Sequence, residues 1–243
     1  DPLLANTGEP IGRSPLVIAA RQDRAAVLTA HCDGVVTWTC VGEVAGTPWT
    51  SIGGEETWGV VRPAHAEPLT SGTGLLVLGA VVASFIATPE TDADHISRID
   101  WEANDAFPGW FQKLERSVPV DAFTPGRDPL GTWLQRRLIG YDLVATTEAA
   151  ALTSLAAAAP DIRDDATVLY PAPVATADVV LAPVAGGRNA TGLEEDLTEA
   201  LIAAGYRTEG NAPPGAPALP ETDGLPSPGA LDALRALWEG VAR

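Results

Sequence analysis

A repeated pattern constrains the fold of this chain more than any other feature: an apolar, strand-like run followed by hydroxyl residues that open a helix. In the first example, residues 57–61 (TWGVV) and a proline-marked loop lead to residues 70–74 (TSGTG), directly before an apolar segment. In the second, residues 142–145 (DLVA) lead to Thr146, Thr147 and an alanine-rich stretch. Strands that alternate with helices in this way predict an α/β fold with a parallel sheet.

The hydroxyl residues at these helix starts have two interpretations. Their side chains can cap the free backbone N–H groups of the first turn and do nothing more. The same N–H groups, supported by the helix dipole, can instead hold an anion or a polar ligand oxygen. Two such starts facing one crevice would form a small-molecule site of the kind that open α/β sheets carry at their strand ends.

The charge balance argues against one class of function. The 243 residues include 32 acidic and 15 basic side chains, for a net charge of −17. An acidic surface repels phosphate backbones, so the sequence predicts no binding of nucleic acid.

The sequence also lacks the usual signatures of an enzyme. Its three histidines, His31, His65 and His95, are scattered without a metal-binding spacing. There is no Gly-x-Ser-x-Gly nucleophile motif and no glycine-rich phosphate loop ending in lysine. The sequence therefore predicts a chain that is not an enzyme and that has no cofactor and no metal site.

Cys32 and Cys40 are the only cysteines. Their spacing matches no zinc pattern, which leaves a local disulfide or two buried thiols. An even number of cysteines in an exported protein favours the disulfide.

The N-terminus and the longest apolar run bear on localisation. The chain contains no methionine and begins at Asp1, so we expect a longer N-terminal region to have been removed, for instance by export processing. Residues 75–87 form the longest apolar run, which is too short to cross a bilayer and predicts a buried helix.

Several segments, taken in order, resemble one protein family. They are SPLVIAA, VTWTC, PLTSGTGLLVLGAVVASF, GYDLVATTEAAAL, VLYPAPVATADVVLAPV and IAAGYR, spread over residues 13–207. The set is similar to bacterial extracytoplasmic solute-binding proteins of the type 2 periplasmic-binding fold. Within this family, the set resembles actinobacterial, molybdate-binding-like proteins of unassigned ligand.

The resemblance implies an α/β, two-lobed clamp that holds a small polar or oxyanion-like solute between its lobes. Residues 1–21 and 177–243 would form the first lobe with the C-terminal helices, and residues 22–176 the second lobe. The implied ligand contacts are Ser14, Thr70, Ser71, Thr73, Thr146, Thr147 and Tyr170. Ordinary turn and core roles are the alternative for Ser14 and Tyr170.

The same resemblance implies partners and a location. Such proteins are extracytoplasmic, secreted or anchored as lipoproteins, and deliver their ligand to an ABC transporter or an adjacent domain. In the family, at least one strand–helix–strand unit precedes the strand that matches residues 16–20, yet only a short segment precedes it here. We therefore expect the N-terminal part of the first lobe to be missing, which would expose sheet edges to homodimerisation or domain exchange. The alternative function is a protein-interaction or sensor domain whose cleft is degenerate.

Overall fold

The computed structural model describes residues 10–86, 98–181, 193–219, 225–226 and 228–242. The strands are β1 (Pro10–Arg21), β2 (Pro63–Ala64), β3 (Leu143–Thr147), β4 (Ala166–Leu169) and β5 (Thr176–Val180). The α-helices are α1 (Gln22–His31), α2 (Trp38–Val44), α3 (Gly72–Ile86), α4 (Arg98–Glu102), α5 (Phe107–Ser117), α6 (Pro129–Gln135), α7 (Glu148–Ala157), α8 (Pro160–Asp165), α9 (Leu193–Ala203) and α10 (Pro228–Ala242). Short 3₁₀ helices cover Trp49–Ile52, Glu56–Trp58 and Val120–Phe123.

The sheet is organised around β1, which pairs antiparallel with three other strands. Its first part, from Pro10 to Pro15, pairs with β5, whereas Leu16 to Ala20 pair with β3 and the end of the strand also pairs with β4. Only β2 and β3 run parallel among the described strands. The prediction of a parallel sheet is therefore wrong. The alternation of strands and helices along the chain does not determine the direction in which a strand pairs with one from a distant part of the chain.

The change of partner along β1 also bears on the predicted division into lobes. The hydrogen bonding passes from β5 to β3 between Pro15 and Leu16, before the predicted boundary at residue 21. The apolar run from Leu16 to Ala20 is at most 1% exposed, as expected for a strand buried on both faces. The division into residues 1–21, 22–176 and 177–243 stays a prediction.

Residues 57–61 do not form the strand that their composition predicted. Glu56–Trp58 is a 3₁₀ helix, and Gly59 has a φ of 73°, outside the extended region. Trp58 packs edge-on against the buried Trp49, with ring centroids 5.4 Å apart. The strand that precedes the first hydroxyl cluster is instead the two-residue β2.

Cys32 and Cys40 are joined in a disulfide, with their Cα atoms 6.1 Å apart. Cys32 follows α1, and Cys40 lies in α2. The bond therefore ties together two helices that follow β1 in the chain.

The apolar helix α3 lies in the core. Val77 and the residues from Leu78 to Ala83 are buried along it. None of the helices in the described ranges combines the length and the apolar character needed to span a membrane.

The C-terminal helix α10 docks on this core through its apolar face and one buried polar contact. Leu234 is fully buried and Trp238 is 2% exposed. The indole Nε1–H of Trp238 donates to Glu115 Oε2 on α5 at 2.6 Å. The same oxygen lies 3.2 Å from His65 Nε2, and His65 Nδ1 lies 2.9 Å from the carbonyl oxygen of Ala66.

This cluster makes the stability of the protein depend on pH. Burial opposes a charge on His65, but the carboxylate of Glu115 outweighs it, so the pKa of His65 is raised above its ordinary 6.5. A raised pKa in the folded state adds stability that is complete below pH 6.5 and is lost as the pH rises through the folded pKa. We expect the free energy of unfolding to fall in that interval, by at most about 1.4 kcal/mol per pH unit. Urea unfolding at successive pH values measures it.

The variant His65→Gln separates this contribution from other titrations. It should flatten the decline above pH 6.5, because glutamine carries no proton that titrates there. An unchanged decline in His65→Gln would assign the pH dependence to other groups.

Candidate functional site

The start of α3 keeps free backbone donors. Ser71 Oγ accepts a hydrogen bond from the Gly74 N–H at 3.2 Å, and the Ser71 carbonyl oxygen accepts from Leu75 at 3.0 Å. Within the described ranges, the N–H groups of Gly72 and Thr73 have no acceptor, as expected for the first positions of a helix. These two donors are available to a ligand.

The loop before α3 is held close to its first turn by Gly74. A Cβ atom on Gly74 would lie 2.2 Å from the carbonyl oxygen of Ala66, so the sequence TSGTG permits an approach that any side chain would prevent. The Thr70 hydroxyl donates to Glu67 Oε2 at 2.9 Å and closes the loop.

At the start of α7, the protein itself supplies acceptors for two of the free backbone N–H groups. Thr147 is its N-cap residue, and its Oγ1 accepts from the Ala150 N–H at 3.4 Å. Ser14 is fully buried, and its Oγ accepts from the Ala149 N–H at 2.9 Å. The hydroxyl of Ser14 therefore caps α7 from β1.

The two helix starts meet at one cavity of about 350 Å³. Its wall contains five of the predicted contacts, namely Thr70, Ser71, Thr73, Thr146 and Thr147. The other lining residues are Ala66, Glu67, Thr124, Gly126, Arg127, Asp128, Pro129, Ala145 and Ala150. The volume lies within the range of about 300–1,000 Å³ that is typical of small-molecule sites.

Thr146 brings to this wall a hydroxyl group that is free to bind a ligand. It is 8% exposed, yet its hydroxyl makes no hydrogen bond to another described residue. The hydroxyl oxygen is not among the inaccessible unpaired atoms of the described residues, so a ligand in the cavity can reach it. The partly exposed Thr73 also has a hydroxyl without a partner in the described ranges.

Arg127 is a cationic group of the wall that the sequence analysis did not identify. Its side chain is exposed, and it forms no ion pair with any residue that the structure describes. Arg62, which lies between the 3₁₀ helix Glu56–Trp58 and β2, instead lies 3.6 Å from the buried Asp142. The segment TPGRDP could have identified Arg127 from the sequence. Its turn residues and its Asp-Pro pair predict a further helix start directly after Arg127.

The two carboxylates of the wall are already engaged. Glu67 accepts from the Thr70 hydroxyl, and Asp128 caps α6 by accepting from the N–H groups of Leu130 and Gly131. Unpaired donors remain in Gly72, Thr73, Thr124, Thr146 and Arg127, whereas Glu67 Oε1 is an acceptor without a partner among the described residues. Such a set is complementary to a ligand rich in acceptor oxygens.

Ser14 and Tyr170 do not line this cavity. Ser14 caps α7, and the Tyr170 hydroxyl donates to Glu148 Oε1 at 2.6 Å. Glu148 is fully buried and also accepts two hydrogen bonds from Arg207, at 2.7 Å and 2.5 Å. Burial and the hydrogen bond to Glu148 raise the pKa of Tyr170 well above its ordinary value.

No metal centre is apparent in the described part of the chain, where no group of three or more His, Cys, Asp or Glu side chains is placed to hold an ion.

Comparisons with known proteins identify the fold. No protein-family model and no curated protein matches the sequence. Among solved structures, the chain is similar to a candidate extracellular solute-binding protein from Bordetella parapertussis, with a TM-score of 0.59 and 13% identity over 96% of this chain and 68% of that chain. It is also similar to the apo ferric ion-binding protein A of Pasteurella haemolytica, with a TM-score of 0.52 and 10% identity over 96% of this chain and 66% of that chain. The predicted fold class is confirmed: the chain has an α/β fold of the two-lobed periplasmic-binding type.

Proposed function

We propose that this chain is an extracytoplasmic solute-binding protein that captures a small oxyanion-like solute in the cavity between α3 and α7. The observation that carries the proposal is the Thr146 hydroxyl, which lines this wall within reach of a ligand and has no partner among the described residues. The similarity in fold to solute-binding proteins supports the same class of function.

The donor groups favour an oxyanion over a cation. Arg127 and the N–H groups of Gly72 and Thr73 present positive charge or partial positive charge to the cavity. A helix N-terminus is a ready site for a sulfate, phosphate or carboxylate group. The neighbour from Pasteurella haemolytica is a ferric ion-binding protein, but the carboxylates of this wall already accept hydrogen bonds from the protein.

The proposal implies a membrane partner. A protein that captures a solute outside the cytoplasm would pass it to a transporter, and it would be secreted or anchored to the membrane.

A thermal-shift screen tests the proposal. Sulfate, molybdate, small sugars and amino acids are added to the protein, and an oxyanion is expected to raise its Tm because it binds only the folded state. The variants Arg127→Gln and Thr146→Val should each weaken binding of that oxyanion by about tenfold or more, since each removes a donor from the ligand.

The matched control is Arg163→Gln. The Arg163 side chain is 49% exposed, pairs with Asp164 and lies outside the cavity wall, so the variant loses the same charge without losing a donor to the ligand. Its affinity should equal that of the original protein. The alternative of an interaction or sensor domain with a degenerate cleft would be favoured by either of two results. One is that no compound of the screen shifts the Tm, and the other is that Arg127→Gln, Thr146→Val and Arg163→Gln all have the same affinity.

A further inference from the structure

Glu67 gives the cavity between α3 and α7 an accessible acceptor in addition to its donors. Its Oε2 accepts from the hydroxyl of Thr70, which lines the same wall, whereas its Oε1 has no partner among the described residues. That oxygen is not among the inaccessible unpaired atoms of those residues, so a ligand can reach it. A simple oxyanion such as sulfate carries no proton at neutral pH, so it would fill the donors of the wall and leave this acceptor unpaired.

The loop before α3 holds Glu67 close to the free donors of the helix start. The N–H groups of Thr70 and Ser71 donate to the Glu67 carbonyl oxygen at 3.2 Å and 2.9 Å. The N–H groups of Gly72 and Thr73 come next and have no acceptor within the described ranges. The hydroxyl that caps α3 belongs to Ser71, so the Glu67 carboxylate is not used as the cap. Acceptor and donors therefore lie within one short stretch of chain, in reach of one small molecule.

The charges of the wall do not suit a doubly charged anion. Among the lining residues, Glu67 and Asp128 are acidic and Arg127 is basic, and the whole chain has a net charge of −17. A dianion is repelled during its approach and again by the two carboxylates. A molecule with one negative and one positive group has no net charge to be repelled, and its negative group still meets Arg127 and the start of α3.

We propose that the solute of this cavity is a small zwitterion, in which a carboxylate or sulfonate group and a protonated amine are joined by a short chain. Its acidic group accepts from Arg127, Thr146 and the N–H groups at the start of α3, and its ammonium group donates to Glu67 Oε1. Thr146 is 8% exposed and unpaired among the described residues, which marks the cavity as a ligand site independently of these charges. This inference rests on the proposed capture of an oxyanion and adds the second group of the ligand.

Two matched pairs of probes test the inference by calorimetric titration at pH 7: taurine against ethanesulfonate, and β-alanine against propionate. The members of each pair differ in the amine, which is protonated at this pH. In at least one pair, the probe with the amine should bind about tenfold or more tightly, because only that probe forms a charge-assisted hydrogen bond with Glu67. Equal or weaker binding of the amine-bearing probe in both pairs, or no binding of any of the four, would overturn the inference.

The thermal-shift screen separates this failure from failure of the proposed function. If sulfate or molybdate raises the Tm while neither amine-bearing probe is preferred, the zwitterion is rejected and the capture of an oxyanion stands. If neither the simple oxyanions nor the four probes bind, both are rejected.

The variant Glu67→Gln locates the ammonium group. Its amide oxygen can still accept from the Thr70 hydroxyl but carries no charge, so the tenfold preference for the amine should disappear, while the amine-free probe binds as tightly as before or more tightly. Glu55→Gln is the matched control, because Glu55 also accepts from a threonine hydroxyl, that of Thr57, but is exposed and lies outside the wall. It should keep the full preference. Circular dichroism confirms that both variants fold, and an unchanged preference in folded Glu67→Gln would reject the contact with Glu67.

Discussion

Glu148→Ala is expected to lower the free energy of unfolding by about 3–5 kcal/mol. Glu148 is fully buried and accepts two hydrogen bonds from Arg207, whose side chain is 12% exposed, and a third from Tyr170. Its removal leaves a nearly buried guanidinium without its counter-charge, which is more costly than the pair itself is stabilising. Urea unfolding followed by circular dichroism at pH 7 measures the loss.

An exposed ion pair provides the control for this prediction. Arg137 and Asp161 form a surface pair whose side chains are 66% and 58% exposed. Asp161→Ala should change stability little, because solvent already screens that pair. A loss in Glu148→Ala no larger than that in Asp161→Ala would mean that Arg207 finds solvent or another partner, and that the buried pair does not organise this region.

Gly74→Ala is the second large effect that we expect, with a loss of about 1–3 kcal/mol or more. The added Cβ would lie 2.2 Å from the carbonyl oxygen of Ala66 and 2.9 Å from its carbonyl carbon. These are backbone atoms, so the clash is relieved only by moving the loop away from the start of α3. Because that loop and helix line the cavity together, the variant should also weaken any ligand bound there.

Gly72→Ala is a matched control two positions away. A Cβ on Gly72 meets nothing within 4 Å, and the residue is exposed at the first position of the same helix. Alanine there should leave stability unchanged or raise it by up to about 1 kcal/mol, because it restricts the unfolded chain. Similar losses in Gly72→Ala and Gly74→Ala would assign the effect to glycine flexibility and not to the close approach of Ala66.

These two stability variants fall on the first turns of α7 and α3, which carry the cavity wall. Glu148 and Gly74 thus support the site without donating to a ligand. Arg127 and Thr146 instead lie on the wall with groups free to donate. Binding and folding can therefore be changed separately, which makes the proposed function testable by affinity alone.

The local pattern of the sequence was sufficient to find the central buried strand and the two helix starts that line the cavity. The run from Leu16 to Ala20 is a buried strand, and the hydroxyls of Ser71 and Thr147 cap the helices that they were predicted to open. These features depend on residues within a few positions of each other. Hydrophobic periodicity and capping chemistry are local properties, so a sequence read alone can show them.

Contacts over long separations were decided by the tertiary structure. The sequence could not show that Ser14 caps a helix at Ala149, that Tyr170 bonds Glu148, or that β1 runs antiparallel to its neighbours. The sequence also could not show that Arg127 and Thr146 line the same wall of the cavity. Each of these depends on which distant segments the core packs together. The sequence alone therefore determined which residues begin helices and strands, and the packing of the whole chain determined which of their polar groups remain free for a ligand.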